Sequence, residues 1–72
     1  MTDVSSIYKE RLEEEIIAKL AEKKGIGLSD AMDAYYRSRL AQQVDSGELG
    51  IQYLSADYLA EDVIENEPEL FQ

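Results

Sequence analysis

The chain has no cysteine, no histidine and no tryptophan, and only one proline and four glycines in its 72 residues. Without cysteine there are no disulfides. Without cysteine or histidine there is also no usual structural zinc site, no thiolate nucleophile and no imidazole base near neutral pH. No apolar run exceeds three residues, as in Ile16-Ile17-Ala18, whereas a bilayer-spanning helix needs ~20. Met1-Thr2-Asp3 does not open a basic region leading into an apolar stretch. No glycine follows the methionine for myristoylation, and no terminal cysteine is present for prenylation. These absences lead to the expectation of a cytoplasmic protein without membrane contact.

Bases are the other shortage. Seven Lys and Arg face sixteen Asp and Glu, for a net charge of −9. Residues 1–39 hold eight acids and all seven bases, netting −1, while residues 40–72 hold eight acids and no base, netting −8. Such a half repels phosphate backbones and anionic lipid and attracts basic surfaces. Length sets a second bound, because a chain this short buries only ~60% of the surface its unfolded form exposes. A single domain spanning 1–72 is expected, with three economical elements or a partner completing the core. The flanks at 1–6 and 67–72 are expected to be loose.

Periodicity supplies the elements. Leu12, Ile16, Ile17 and Leu20 recur at helical spacing and predict one apolar stripe on a helix from Ser5 or Ser6 to Lys24. Glu15 and Lys19 are placed for an i,i+4 pair, and Ile7 and Tyr8 fall off the stripe, leaving room for self-association. Gly25 after Lys23-Lys24 reads as a left-handed cap, with Ile26 folding back. Ser29 is the expected cap of a second helix running to Val44, burying Met32, Tyr35, Tyr36, Leu40 and Val44 with Ala31 and Ala41 at its edges. Asp45 to Gly50 is a turn by composition, and Ile51–Leu54 alternates as a short extended piece would. Ser55 caps a third helix with Ala56, Leu59, Ala60 and Val63 inward and Ile64 at the edge, Leu54 and Leu59 forming a staple across the cap. Pro68 ends it. The fold class is therefore all-α, a compact three-helix domain, with Ile51–Leu54 as an optional extended segment.

The candidate sites are weighed against this frame. Asp45 to Ala56 places Gly50 as a calcium loop would, but Gly47, Leu49 and Ala56 stand where ligands belong, so the match fails. Asp57, Glu61 and Glu65 recur every four residues, and such a row is more simply a solvated helix face than a metal site. Serine catalysis lacks a base and paired-carboxylate chemistry lacks room for a cleft, so no enzyme, cofactor or metal is expected. The step from Leu20 through Gly25 to Ala31 has the rhythm of a helix-turn-helix, or of the helical part of a ribbon-helix-helix. Its second helix would nevertheless open on Asp30 and Asp33, where base readers carry Arg, Lys, Asn or Gln.

The stretch from Lys19 to Lys23, Gly27-Leu28-Ser29-Asp30-Ala31-Met32, Tyr35-Tyr36-Arg37-Ser38-Arg39, Gly50 to Ser55 and Tyr58-Leu59 resembles a family of small uncharacterised bacterial proteins encoded beside toxin-like, ADP-ribosyltransferase-like proteins. The resemblance spans roughly residues 15–65 and implies a partner-neutralising, antitoxin-like role with no catalytic residues. The functional expectation is a non-enzymatic interaction module docking its acidic C-terminal half on a basic protein surface. Asp57, Tyr58, Glu61, Asp62, Glu65, Leu70 and Phe71 are the expected partner-binding residues, acids steering the encounter and apolar groups anchoring it. The alternative is a helix-turn-helix-like or ribbon-helix-helix-like transcriptional regulator.

Overall fold

A computed structural model describes residues 4–47 and 54–71, with side chains from Tyr8 onward. Of the extended piece expected at Ile51–Leu54, residues 51–53 lie outside the described residues, as do the turn residues 48–50 and the side chain of Ile7. Among the described residues there are four α-helices and no strand: α1 (Val4–Lys24), α2 (Leu28–Arg37), α3 (Arg39–Ser46) and α4 (Ala56–Asn66), followed by a 3-10 helix at Pro68–Phe71. The all-α class holds, but the expected second helix is two helices.

α1 is the spine on which the others pack. Its stripe of Leu12, Ile16, Ile17 and Leu20 is buried as the spacing predicts. Each such side chain contributes about 1.5–3 kcal/mol of burial free energy. The helix ends at Gly25, whose φ of 64° lies in the left-handed region. Ile26 N–H then reaches back to the Ala21 carbonyl at 3.0 Å, the long bond of a Schellman cap, and its side chain packs on the core.

α2 starts earlier than expected. Gly27, not Ser29, occupies the cap position and offers no side-chain hydrogen bond. Ala31, Ala34 and Tyr35 turn inward, while Met32 and Tyr36, expected in the core, are exposed at 47% and 59%. Tyr35 is fully buried, and its hydroxyl donates to Glu13 Oε2 at 3.0 Å. Burial, with Glu13 beside it, pushes the phenol well above its ordinary pKa.

The break between α2 and α3 falls on buried Ser38, which adopts extended backbone at φ −82° and ψ 157°. Its hydroxyl accepts from Ala41 N–H at 3.3 Å and donates to the Tyr35 carbonyl. It thus ends one helix and caps the next. The extended residue resets the helical phase, so α3 can bury Leu40, Ala41 and Val44 while α2 keeps Met32 and Tyr36 outside. α3 closes on left-handed Gly47, and Lys9 Nζ donates to the Asp45 carbonyl at 3.0 Å. That contact sets a cation at a helix C-terminus that has no base of its own.

α4 follows the sequence closely. Ser55 caps it through Tyr58 N–H at 3.1 Å; Leu59, Ala60 and Val63 are buried, and Ala56 and Ile64 partly so. Of the two residues expected to staple the cap, Leu59 is buried and Leu54 is 41% exposed. Of the flank 67–72 expected to be loose, Glu67, Leu70 and Phe71 pack on the fold. Glu67 is buried, and its Oε2 accepts from the first amide of α3, Arg39 N–H, at 3.2 Å. Leu70 and Phe71 pack partly buried against the core, with Lys24 Nζ 5.5 Å from the Phe71 ring centre.

Candidate interaction face

At 100° per residue, Asp57, Tyr58, Glu61, Asp62 and Glu65 fall on one arc of α4, opposite Leu59, Ala60 and Val63. All five are exposed, so the structure brings them together on one outward face. Tyr58 stands among the acids at 59% exposure. The other two expected partner-binding residues, Leu70 and Phe71, are half-buried in the fold and hold the 3-10 helix down.

One edge of the face is tied to the spine. Lys23, near the end of α1, sets its Nζ 2.9 Å from Asp57 Oδ1 and 3.0 Å from Glu61 Oε1. The ammonium is the more covered partner, its side chain 22% exposed against 59% for Asp57. Hydrogen bonding to Asp57 and then Glu61 raises the Lys23 pKa above its ordinary value, and the same contact lowers that of Asp57. Periodicity could not supply this pairing, because the partners are 34 and 38 residues apart; only the excess of acid over base on α4 hinted at a cation from elsewhere. Lys19, expected to meet Glu15, lies 3.8 Å from Glu22.

The other edge borders a shallow groove between α3 and α4, of about 280 Å³, lined by Arg39, Leu40, Gln43, Asp62, Val63, Asn66 and Glu67. Asp62 Oδ1 accepts from Asn66 Nδ2 at 2.8 Å. Arg39 Nε stands 3.7 Å from Glu67 Oε1. Between these two edges the middle of the face carries Glu65 and Tyr58.

The described residues hold no group of three metal-ligating side chains placed around a common point. No helix among them is long and apolar enough to cross a membrane. On α2, Asp30 and Asp33 occupy the leading turn, and Arg37 is paired with Asp33 at 3.2 Å. The chain matches no protein-family model, no curated protein and no solved structure.

Proposed function

We propose that the protein is a non-enzymatic interaction module that presents the outer face of α4 to a basic surface on a protein partner. The observation that carries the reading is the segregation on α4: four acids and an exposed tyrosine on one arc, with the apolar residues on the opposite one. The segment from residue 54 to 71 contains six acids and no base, so the face attracts cationic surfaces and repels phosphate backbones. Tyr58 supplies the amphipathic contact that interfaces favour. The antitoxin-like, neutralising form of this role, its bacterial setting and a cytoplasmic location rest on the sequence resemblance and on the expectations drawn from composition.

The test is kinetic. A partner captured from native extract is identified by mass spectrometry, purified, and its association with the chain followed at several salt concentrations. Asp62→Asn with Glu65→Gln should slow association by about tenfold at low salt and flatten its salt dependence. Unchanged association with an unchanged salt slope refutes the reading. Salt-sensitive binding of a DNA duplex at micromolar protein would instead favour the regulator alternative.

A further inference from the structure

The residues on either side of the break between α2 and α3 are gripped by the same distant strap, Glu67 and the 3-10 helix behind it. Glu67 Oε2 accepts from Arg39 N–H at 3.2 Å, and its Oε1 stands 3.7 Å from Arg39 Nε. Arg37 Nη2 donates to the Leu70 carbonyl at 3.5 Å. Between them sits Ser38, whose amide and hydroxyl both donate to the Tyr35 carbonyl. In an uninterrupted helix that carbonyl would take the Arg39 amide, and the Arg37 carbonyl would take that of Ala41. The break thus stands on substitute acceptors: Glu67 Oε2 for Arg39 N–H and Ser38 Oγ for Ala41 N–H.

The sequence between Leu28 and Ser46 also suits a helix without a break. Arg37-Ser38-Arg39 contains neither glycine nor proline, and Met32, Tyr36, Leu40 and Val44 recur every four residues across it. On a straight helix those four share one side, within an arc of about 120°. Leu40 and Val44 already lie in the core, while Met32 and Tyr36 stand outside it. Rolling α2 by one residue step, about 100°, brings Met32 and Tyr36 to where Ala31 and Tyr35 now pack. Each packing buries one tyrosine. The roll gives up the Tyr35–Glu13 bond and forces Met32 into the space of Ala31, but returns the backbone bonds lost at the junction. Two discrete packings of one segment, each with its own hydrogen bonds, make a bistable element.

We infer that the segment from Leu28 to Ser46 is a two-state helix, broken at Ser38 while the strap is docked and straight when the strap lifts. The docked form is the one described above. The straight form is its minor state, populated on the order of 1%. Lifting the strap frees Leu70 and Phe71 from the core, so anything that binds them favours the straight form by its differential affinity. The inference does not depend on the role proposed for the α4 face.

Nuclear magnetic resonance of the full chain reads the break directly, because Cα chemical shifts separate extended from helical backbone. Removing either substitute acceptor should raise the straight population about tenfold. The double variant Ser38→Ala/Glu67→Ala should therefore hold the two forms in comparable amounts, with Cα shifts at positions 37–39 moved about halfway to helical values. Adding Arg39→Pro should return the extended shift at position 38. Proline suits the first position of α3 and an extended residue before it, but it lacks the amide that a straight helix needs. A folded double variant in which position 38 stays extended overturns the inference. Should that variant fail to fold, carbon relaxation dispersion on wild type and on Glu67→Ala decides. A minor state with a helical shift at Ser38, about tenfold more populated in Glu67→Ala, supports the two-state helix, and the absence of such a state overturns it.

Discussion

α2 and α4 dock on the same spine and are of nearly equal length, ten and eleven residues, yet their outward faces differ in kind. α4 divides cleanly: apolar residues inward, acids and one tyrosine outward. α2 keeps small Ala31 and Ala34 and the large Tyr35 inside and leaves Leu28, Met32 and Tyr36 outside. The inward faces are interchangeable in purpose, since both complete the core around Leu12, Ile16, Ile17 and Leu20. What separates them is the solvent side. Long-range charge on α4 suits fast encounter with an oppositely charged surface, whereas short-range apolar area on α2 suits contact that must be close to count.

The sharpest challenge to this pairing is the spine itself. Leu20 is fully buried, so Leu20→Ala should cost about 3 kcal/mol. If α2 and α4 depend on the spine equally, urea unfolding of this variant stays a single transition by circular dichroism and tyrosine fluorescence alike. Two separated transitions would mean that one helix holds on without the other.

A smaller effect isolates the α2 side. Ser38→Ala removes the cap of α3 and its bond to the Tyr35 carbonyl, and should cost about 1–2 kcal/mol. A change within experimental error in the urea midpoint would show that the break between α2 and α3 is set by packing instead of by the hydroxyl.

Next comes the polar contact that ties α2 to α1. Tyr35→Phe should cost about 1 kcal/mol. The Tyr35 pKa is raised in the folded state, so its contribution to stability is complete below the ordinary value of 10.0 and is lost as pH rises beyond it. Ultraviolet titration of wild type against Tyr35→Phe should therefore show a Tyr35 phenol that ionises only well above its ordinary range. Ionisation of Tyr35 near its ordinary pKa in folded protein would contradict the buried Tyr35–Glu13 bond.

The smallest expected effect lies on the α4 side, where Lys23 holds Asp57 and Glu61 at the surface. Lys23→Gln should lower the melting temperature less than Tyr35→Phe does, because exposed ion pairs contribute little. The Asp57 pKa is lowered, so its share is present above the ordinary 3.8 and lost as pH falls. The Lys23 pKa is raised, so its share is present below 10.5 and lost as pH climbs past that. The difference between wild type and variant should thus be widest between these values and vanish at both ends. A difference independent of pH would mean that Lys23 acts through its hydrocarbon stem.

Much of α1 and α4 was legible because each carries one clear signal along one face, bounded by a residue with a single reading: Gly25 for one, Ser55 and Pro68 for the other. The break at Ser38 was not. Arg37-Ser38-Arg39 contains neither glycine nor proline, and Met32, Tyr36, Leu40 and Val44 continue an unbroken four-residue spacing across it. That spacing is a decoy, since the phase reset exposes its first two members and buries its last two. Ser38 caps the break locally, and Glu67, 28 residues beyond Arg39, adds an acceptor for the first amide of α3; local pattern carries no trace of so distant a partner. The acidic face of α4 was readable from periodicity, but its tie to Lys23 was not, for the same reason.

The carboxylate of Glu67 on the Arg39 amide has a consequence for how the molecule comes into being. As a ribosome releases the chain, α3 emerges with its leading amide waiting for an acceptor that has not yet been translated. Until the peptide around Pro68 arrives, that amide lacks its carboxylate and the α4 side of the spine lacks its cover. The junction between α2 and α3 is thereby completed only after the peptide around Glu67 and Pro68 has been made.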